Sequence, residues 1–233
     1  MNKILIPIVG LLCFSVQSIK AQNNCSKYYP MVEGSSFQYS MTNKKGKIDG
    51  VADYTVSSVE NNGGSTAATM QMKYTDAKGK EVFISDYKIT CTGDGIKIDY
   101  QSLMPSQMMK QYEDMGLEME ITGTDMELPN NLSVGQSLAD SNVSVKMKMP
   151  GMNMTITVDM VNRKVEKYES VTTPAGTFDC YLITADNKSE VMNMNQDMTS
   201  KLWLAEGIGM VRQESYNKKG DLVNRTELTM FNK

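Results

Sequence analysis

The chain has 233 residues, with 24 Lys and Arg against 27 Asp and Glu, for a net charge of −3. That balance argues against nucleic acid and anionic membrane surfaces as partners, because both are gripped by clustered cations that displace counterions. There is no histidine, which removes Ser-His-Asp and Cys-His catalysis and ordinary zinc sites. Neither GxSxG nor HExxH occurs, so no catalytic residue and no cofactor is expected, and the chain is not read as an enzyme.

Met1-Asn2-Lys3 is a short positive start, Ile4 to Val16 an almost unbroken apolar run, and Ser18 to Gln22 closes it with a small residue at Ala21. This is the pattern of a secretory signal peptide, cleaved after Ala21 or Gln22. At about 13 residues the run falls short of the roughly 20 that span a bilayer, and no later segment comes near that length, so no transmembrane segment is expected in the mature chain. Residues 1–22 are read as the signal and 23–233 as one antiparallel β domain, with an internal division near 122–141 as the alternative. Loss of Lys3 and Lys20 leaves 22 basic against 27 acidic residues, a mature charge of −5. The expected location is the periplasm, the exterior or the cell envelope. Leu12 before Cys13 and Asn24 before Cys25 do not suit a lipoprotein cleavage site, so no lipid anchor is expected.

From Phe37 onward the chain alternates apolar and polar residues: Phe37, Tyr39 and Met41; Ala68, Met70, Met72 and Tyr74; Phe83, Ser85, Tyr87, Ile89 and Cys91; Ile96, Ile98 and Tyr100. Such period-two runs predict strands of a meandering antiparallel sheet. Three turns share one design, Asn43 to Lys47, Asp76 to Lys80 and Asn217 to Asp221, each with Asn or Asp first and Gly fourth. This suits a type I turn closed by a glycine at positive φ. Three cysteines remain after export. Cys180 shares a strand face with Phe178 and Leu182 and reads as a core residue, so the expected disulfide is Cys25 to Cys91.

Pro105-Ser106 followed by Gln107 to Met115, with Met108, Tyr112 and Met115 on one face and Gly116 as a stop, predicts a single short helix. A short strand from Leu117 to Ile121 follows, then an irregular stretch from Thr122 to Ser141 broken at Pro129-Asn130-Asn131. Glu118, Glu120, Asp125 and Glu127 offer oxygen ligands for a cation such as Ca²⁺, but also make an ordinary solvated strand face.

The chain carries 21 methionines, 20 of them beyond Met1. The densest group is Met147, Met149, Met152 and Met154 around Pro150-Gly151, which predicts a hairpin with Met147 across from Met154. Two readings of that hairpin stand together. Methionine fills irregular core space or lines an apolar cavity. Its thioether is also a soft ligand that stays neutral in an oxidising compartment, so the four residues are candidate Cu(I) ligands. A Met-lined cavity would make the protein a carrier of a small apolar ligand, and the remaining partner class is another envelope protein.

Two further motifs follow: Thr173-Pro174-Ala175-Gly176-Thr177-Phe178, and Leu202-Trp203-Leu204-Ala205-Glu206-Gly207-Ile208-Gly209-Met210-Val211. The pairing of this corner with a later tryptophan strand resembles the TapB-like family of secreted bacterial proteins and related domains of unknown function. Cys25 to Pro30 with Gly34, and Leu132 to Leu138, fit the same pattern. The resemblance implies an all-β fold, a strongly curved antiparallel sheet or partly open barrel or β-roll, in an exported protein of the envelope, and it brings no catalytic residues. The chain is therefore read as a non-enzymatic binding or structural module.

Overall fold

The computed structural model describes residues 25–100, 109–110, 114–116, 118–149, 152–191 and 194–233. The expected signal peptide, most of the expected helix (105–108 and 111–113), Leu117 and Pro150-Gly151 lie outside them. Thirteen strands are present among the described residues: β1 Ser36–Asn43, β2 Ile48–Asn62, β3 Ser65–Asp76, β4 Glu81–Thr92, β5 Gly95–Ile98, β6 Glu118–Gly123, β7 Met126–Pro129, β8 Ser141–Met149, β9 Met152–Thr173, β10 Gly176–Val191, β11 Met194–Ala205, β12 Gly209–Asn217 and β13 Leu222–Asn232. They form one antiparallel sheet in the order β6-β8-β9-β10-β11-β12-β13-β1-β2-β3-β4-β5-β7, not closed into a barrel. The two outermost strands, β6 and β7, are separated in the chain by Thr124 and Asp125 alone. Two residues span less than 10 Å, so the sheet must curl until its edges meet at that corner. Helical backbone occurs at Met109, Lys110 and Asp114, and Gly116 follows at φ 69°.

The three similar turns connect β1 to β2, β3 to β4 and β12 to β13. In each, the amide of the fourth-position glycine bonds to the carbonyl of the first residue, and that glycine sits at φ between 71° and 81°. The leading Asn or Asp also accepts from the amides two and four residues on, so the side chain shapes the turn. The long hairpin of β9 and β10 turns at Pro174-Ala175, with Thr173 facing Gly176.

Alternation sends one residue set inward. Tyr28, Phe37, Tyr39, Val56, Ala68, Met70, Ile89, Val165, Ile183, Leu204 and Leu228 pack into the main core. Burying each large aliphatic side chain contributes about 1.5–3 kcal/mol. A second, smaller core lies on the opposite face of β9 to β12, from Val171, Cys180, Leu182, Trp203, Ala205 and Val211. The run Leu202 to Ala205 is thus covered on both sides, which is why its sequence does not alternate. Trp203 Nε1 donates to Glu169 at 2.8 Å, and Arg212 lies over the indole while pairing with Glu227 at 2.7 Å.

Tyr39, Tyr54 and Tyr87 stand edge to face across β1, β2 and β4, with ring centroids 5.5 and 6.0 Å apart. Burial pushes the phenols of Tyr29 and Tyr54 up to about 12, and those of Tyr39 and Tyr87 well above the ordinary value. The unfolded chain ionises these groups near pH 10 while the folded chain keeps them neutral. Their contribution is therefore complete below pH 10 and is lost progressively above it. Thermal midpoints from pH 9 to 12 should be level at first and then fall, with part of the tyrosinate absorbance appearing only on unfolding. Ionisation of all 11 tyrosines at constant midpoint would contradict this packing.

Candidate functional site

The methionine hairpin comes first. Met147 pairs with Met154, Met149 with Met152, and β6 adds Met119 opposite Met147. Met147 is buried, while Met119 and Met154 are half-buried. The reverse face of the same strands is charged and solvated, with Lys148 on Glu118 at 3.1 Å and Lys146 near Glu120 at 3.7 Å. Glu127 pairs with Lys97 at 2.7 Å, and Asp125 accepts from the Tyr100 amide. The four carboxylates singled out for a hard cation are thus divided among separate partners. Among the described residues no group of three or more Cys, Asp and Glu is placed to hold a metal.

Where the sheet edges meet, two adjoining clefts of about 200 and 460 Å³ share Lys97, Glu127 and Ala139. Leu128 and Leu138 line the smaller, Tyr100, Asp125 and Asp140 the larger. Behind them lies Arg163, only 4% exposed. Its guanidinium donates to the Ala139 carbonyl at 2.6 Å and the Glu127 carbonyl at 3.0 Å. Burial lowers its pKa, opposed by Asp140 and Glu127. The strand bends just before it, at Asn162, which has φ 55° and donates to Asp186 at 2.8 Å. Beyond the bend, the edge of β9 accepts from the amides of Gly135 and Leu138 and donates from Val165 to the Gln136 carbonyl. Arg163 thereby ties β7, the 130–140 segment and β9 together. The segment expected to be irregular from Thr122 to Ser141 holds β7 and this strap. β7 was missed because its four residues are too few for a period to show.

The third assembly is the N-terminal segment. Cys25 is bonded to Cys91 on β4, and Cys180 is a buried free thiol. Tyr28 enters the main core at 1% exposure. Tyr29 lies against Gly209, where a Cβ would come within 2.7 Å of the ring. Asn130 holds the segment down, accepting from the Lys27 amide at 2.8 Å and donating to the carbonyls of Cys25 at 2.8 Å and Gly93 at 3.2 Å. Asn130→Asp would keep the acceptor but turn the donor end into a carboxylate oxygen facing two carbonyls. The expected cost is about 2 kcal/mol, read from urea unfolding. A variant as stable as the parent would show that Asn130 is only a turn former.

The sequence matches the DUF3108-like family model over residues 32–228, and the chain belongs to that family, whose domain has no assigned activity. Two crystal structures share its fold. One is of a Bacteroides fragilis protein named as exported and of YmcC-like fold, 22% identical over 90% of this chain and 100% of that one, with a TM-score of 0.69. The other is of a Parabacteroides distasonis protein named as a lipoprotein, 23% identical over 89% of this chain and 99% of that one, with a TM-score of 0.70. No curated protein matches the chain.

Proposed function

We propose that the chain is an exported, non-enzymatic binding or structural module of the cell envelope, a single β domain from residue 23 after removal of residues 1–22, without a lipid anchor. The observation that carries this reading is the bond between Cys25 and Cys91. It ties the first residues of the mature chain to the sheet, and such bonds persist in oxidising compartments. The names of the two crystal neighbours, exported protein and lipoprotein, support the same side of the membrane. The TapB-like likeness belongs to this reading too, since it rests on the corner at Pro174 and the tryptophan strand. No described helix is long and apolar enough to cross a membrane.

A second reading, carriage of a small apolar ligand, is favoured by the cleft at the sheet seam, which Ile96, Leu128 and Leu138 of the main core line. Native mass spectrometry of the protein from an envelope fraction, without added metal or detergent, separates the two. A lipid-sized adduct supports the carrier, and a bare mature mass supports a structural or protein-binding role. Recovery from the cytoplasm with residues 1–22 retained would overturn both.

A further inference from the structure

We propose that Met119, Met147 and Met154, side by side across β6, β8 and β9, form a thioether site for a soft monovalent cation, Cu(I) in the envelope. The structure adds Met119 to the hairpin methionines. The register sets Met119 opposite Met147 and Met147 opposite Met154, so three thioethers stand in one row across three strands. One step nearer the turn, the register pairs Met149 with Met152. One step further from it, the row is Ile121, Val145 and Ile156, and then Gly123, Val143 and Val158.

The change of residue type along this face is the main argument. β-Branched side chains suit a pleated, half-buried surface best, and the rows away from the turn use them almost throughout. Toward the turn, all three strands change to methionine in register. Filling irregular space calls for a flexible side chain here and there, not a matched row in three neighbouring strands. Directly paired residues have Cβ atoms about 4.5–5.5 Å apart, and methionine has three rotatable bonds with which to bring its sulfur onto a shared point. Thioethers are soft donors that select Cu(I) over hard cations. They are also neutral, so a monovalent ion brings the only charge into a partly buried place. Cysteines would pair with each other in that compartment, whereas methionines cannot.

The choice of Cu(I) rests on the exported reading, but binding of a soft ion does not, so the two can fail separately. The test uses Ag(I), an air-stable soft monovalent probe, then Cu(I) without oxygen, on the disulfide-bonded protein with no reductant. Native mass spectrometry and competition with a Cu(I) chelator report binding. The expected result is one ion per chain, lost in Met119→Leu/Met147→Leu/Met154→Leu and kept in Cys180→Ala. Leucine conserves volume, so the triple variant should keep its circular dichroism and thermal midpoint. If it does not fold, Met119→Leu alone must still weaken binding at least tenfold. No ion on the parent protein, an ion retained by the leucine variants, or an ion lost in Cys180→Ala would each overturn the proposal.

Discussion

Replacing Cys25 and Cys91 together by serine should lower stability by about 4 kcal/mol. The bond closes a loop across a sequence separation of 66 residues, and in the chain-entropy account a loop of that size restricts the unfolded ensemble by about that amount. For a chain of this length the thermal midpoint should fall by roughly 10 °C. The loss should be concentrated at the N-terminal segment. Tyr28 enters the main core there, and the tether helps to hold it in place. Proteolysis of the double variant should therefore begin between residues 25 and 35, before the strands are attacked. Parent and variant unfolding at the same temperature in the absence of reductant would contradict this role.

Arg163→Leu should cost about 3 kcal/mol or more. The substitution removes a side chain only 4% exposed and leaves the carbonyls of Ala139 and Glu127 without their donor at part-buried bonds. Each buried polar group left unpaired costs about 1–3 kcal/mol. Arg163→Lys keeps the charge but supplies a single ammonium in place of a planar fork, so it should recover only part of the loss. The distinctive outcome is local. The strap at 135–138 and the edge at β7 should exchange amide hydrogens faster, while β9 to β12 keep their protection. Loss spread evenly over the sheet would mean that Arg163 does not close the seam.

How much of this was legible varies with the length over which a signal repeats. β1, β3, β4 and β5 showed themselves by alternation, while β2 went unread, and the three turns showed by an Asn or Asp three residues before a glycine. The corner at Pro174 and the doubly buried run at Trp203 were visible as motifs, although the second core beneath Trp203 was not. β7 was hidden by its shortness, and Asn130 read as a breaker because its bonds reach residues 37 to 105 positions away. Arg163 did leave a trace: it occupies the inward phase between Val161 and Val165, where a charge needs a partner. That trace names no partner, because Ala139 and Glu127 come together only when the sheet curls. In the same way, the Met147 to Met154 hairpin was readable from its spacing, whereas Met119 joins it only through the strand order.

The measurement that bears most directly on the exported reading is the intact mass and thiol count of the chain isolated from an envelope fraction, unfolded without reductant. The account predicts a chain starting at Gln22 or Asn23, lighter by two hydrogens for the Cys25 to Cys91 bond, with Cys180 alone open to alkylation. A full-length chain from the cytoplasm with every cysteine alkylated would contradict it.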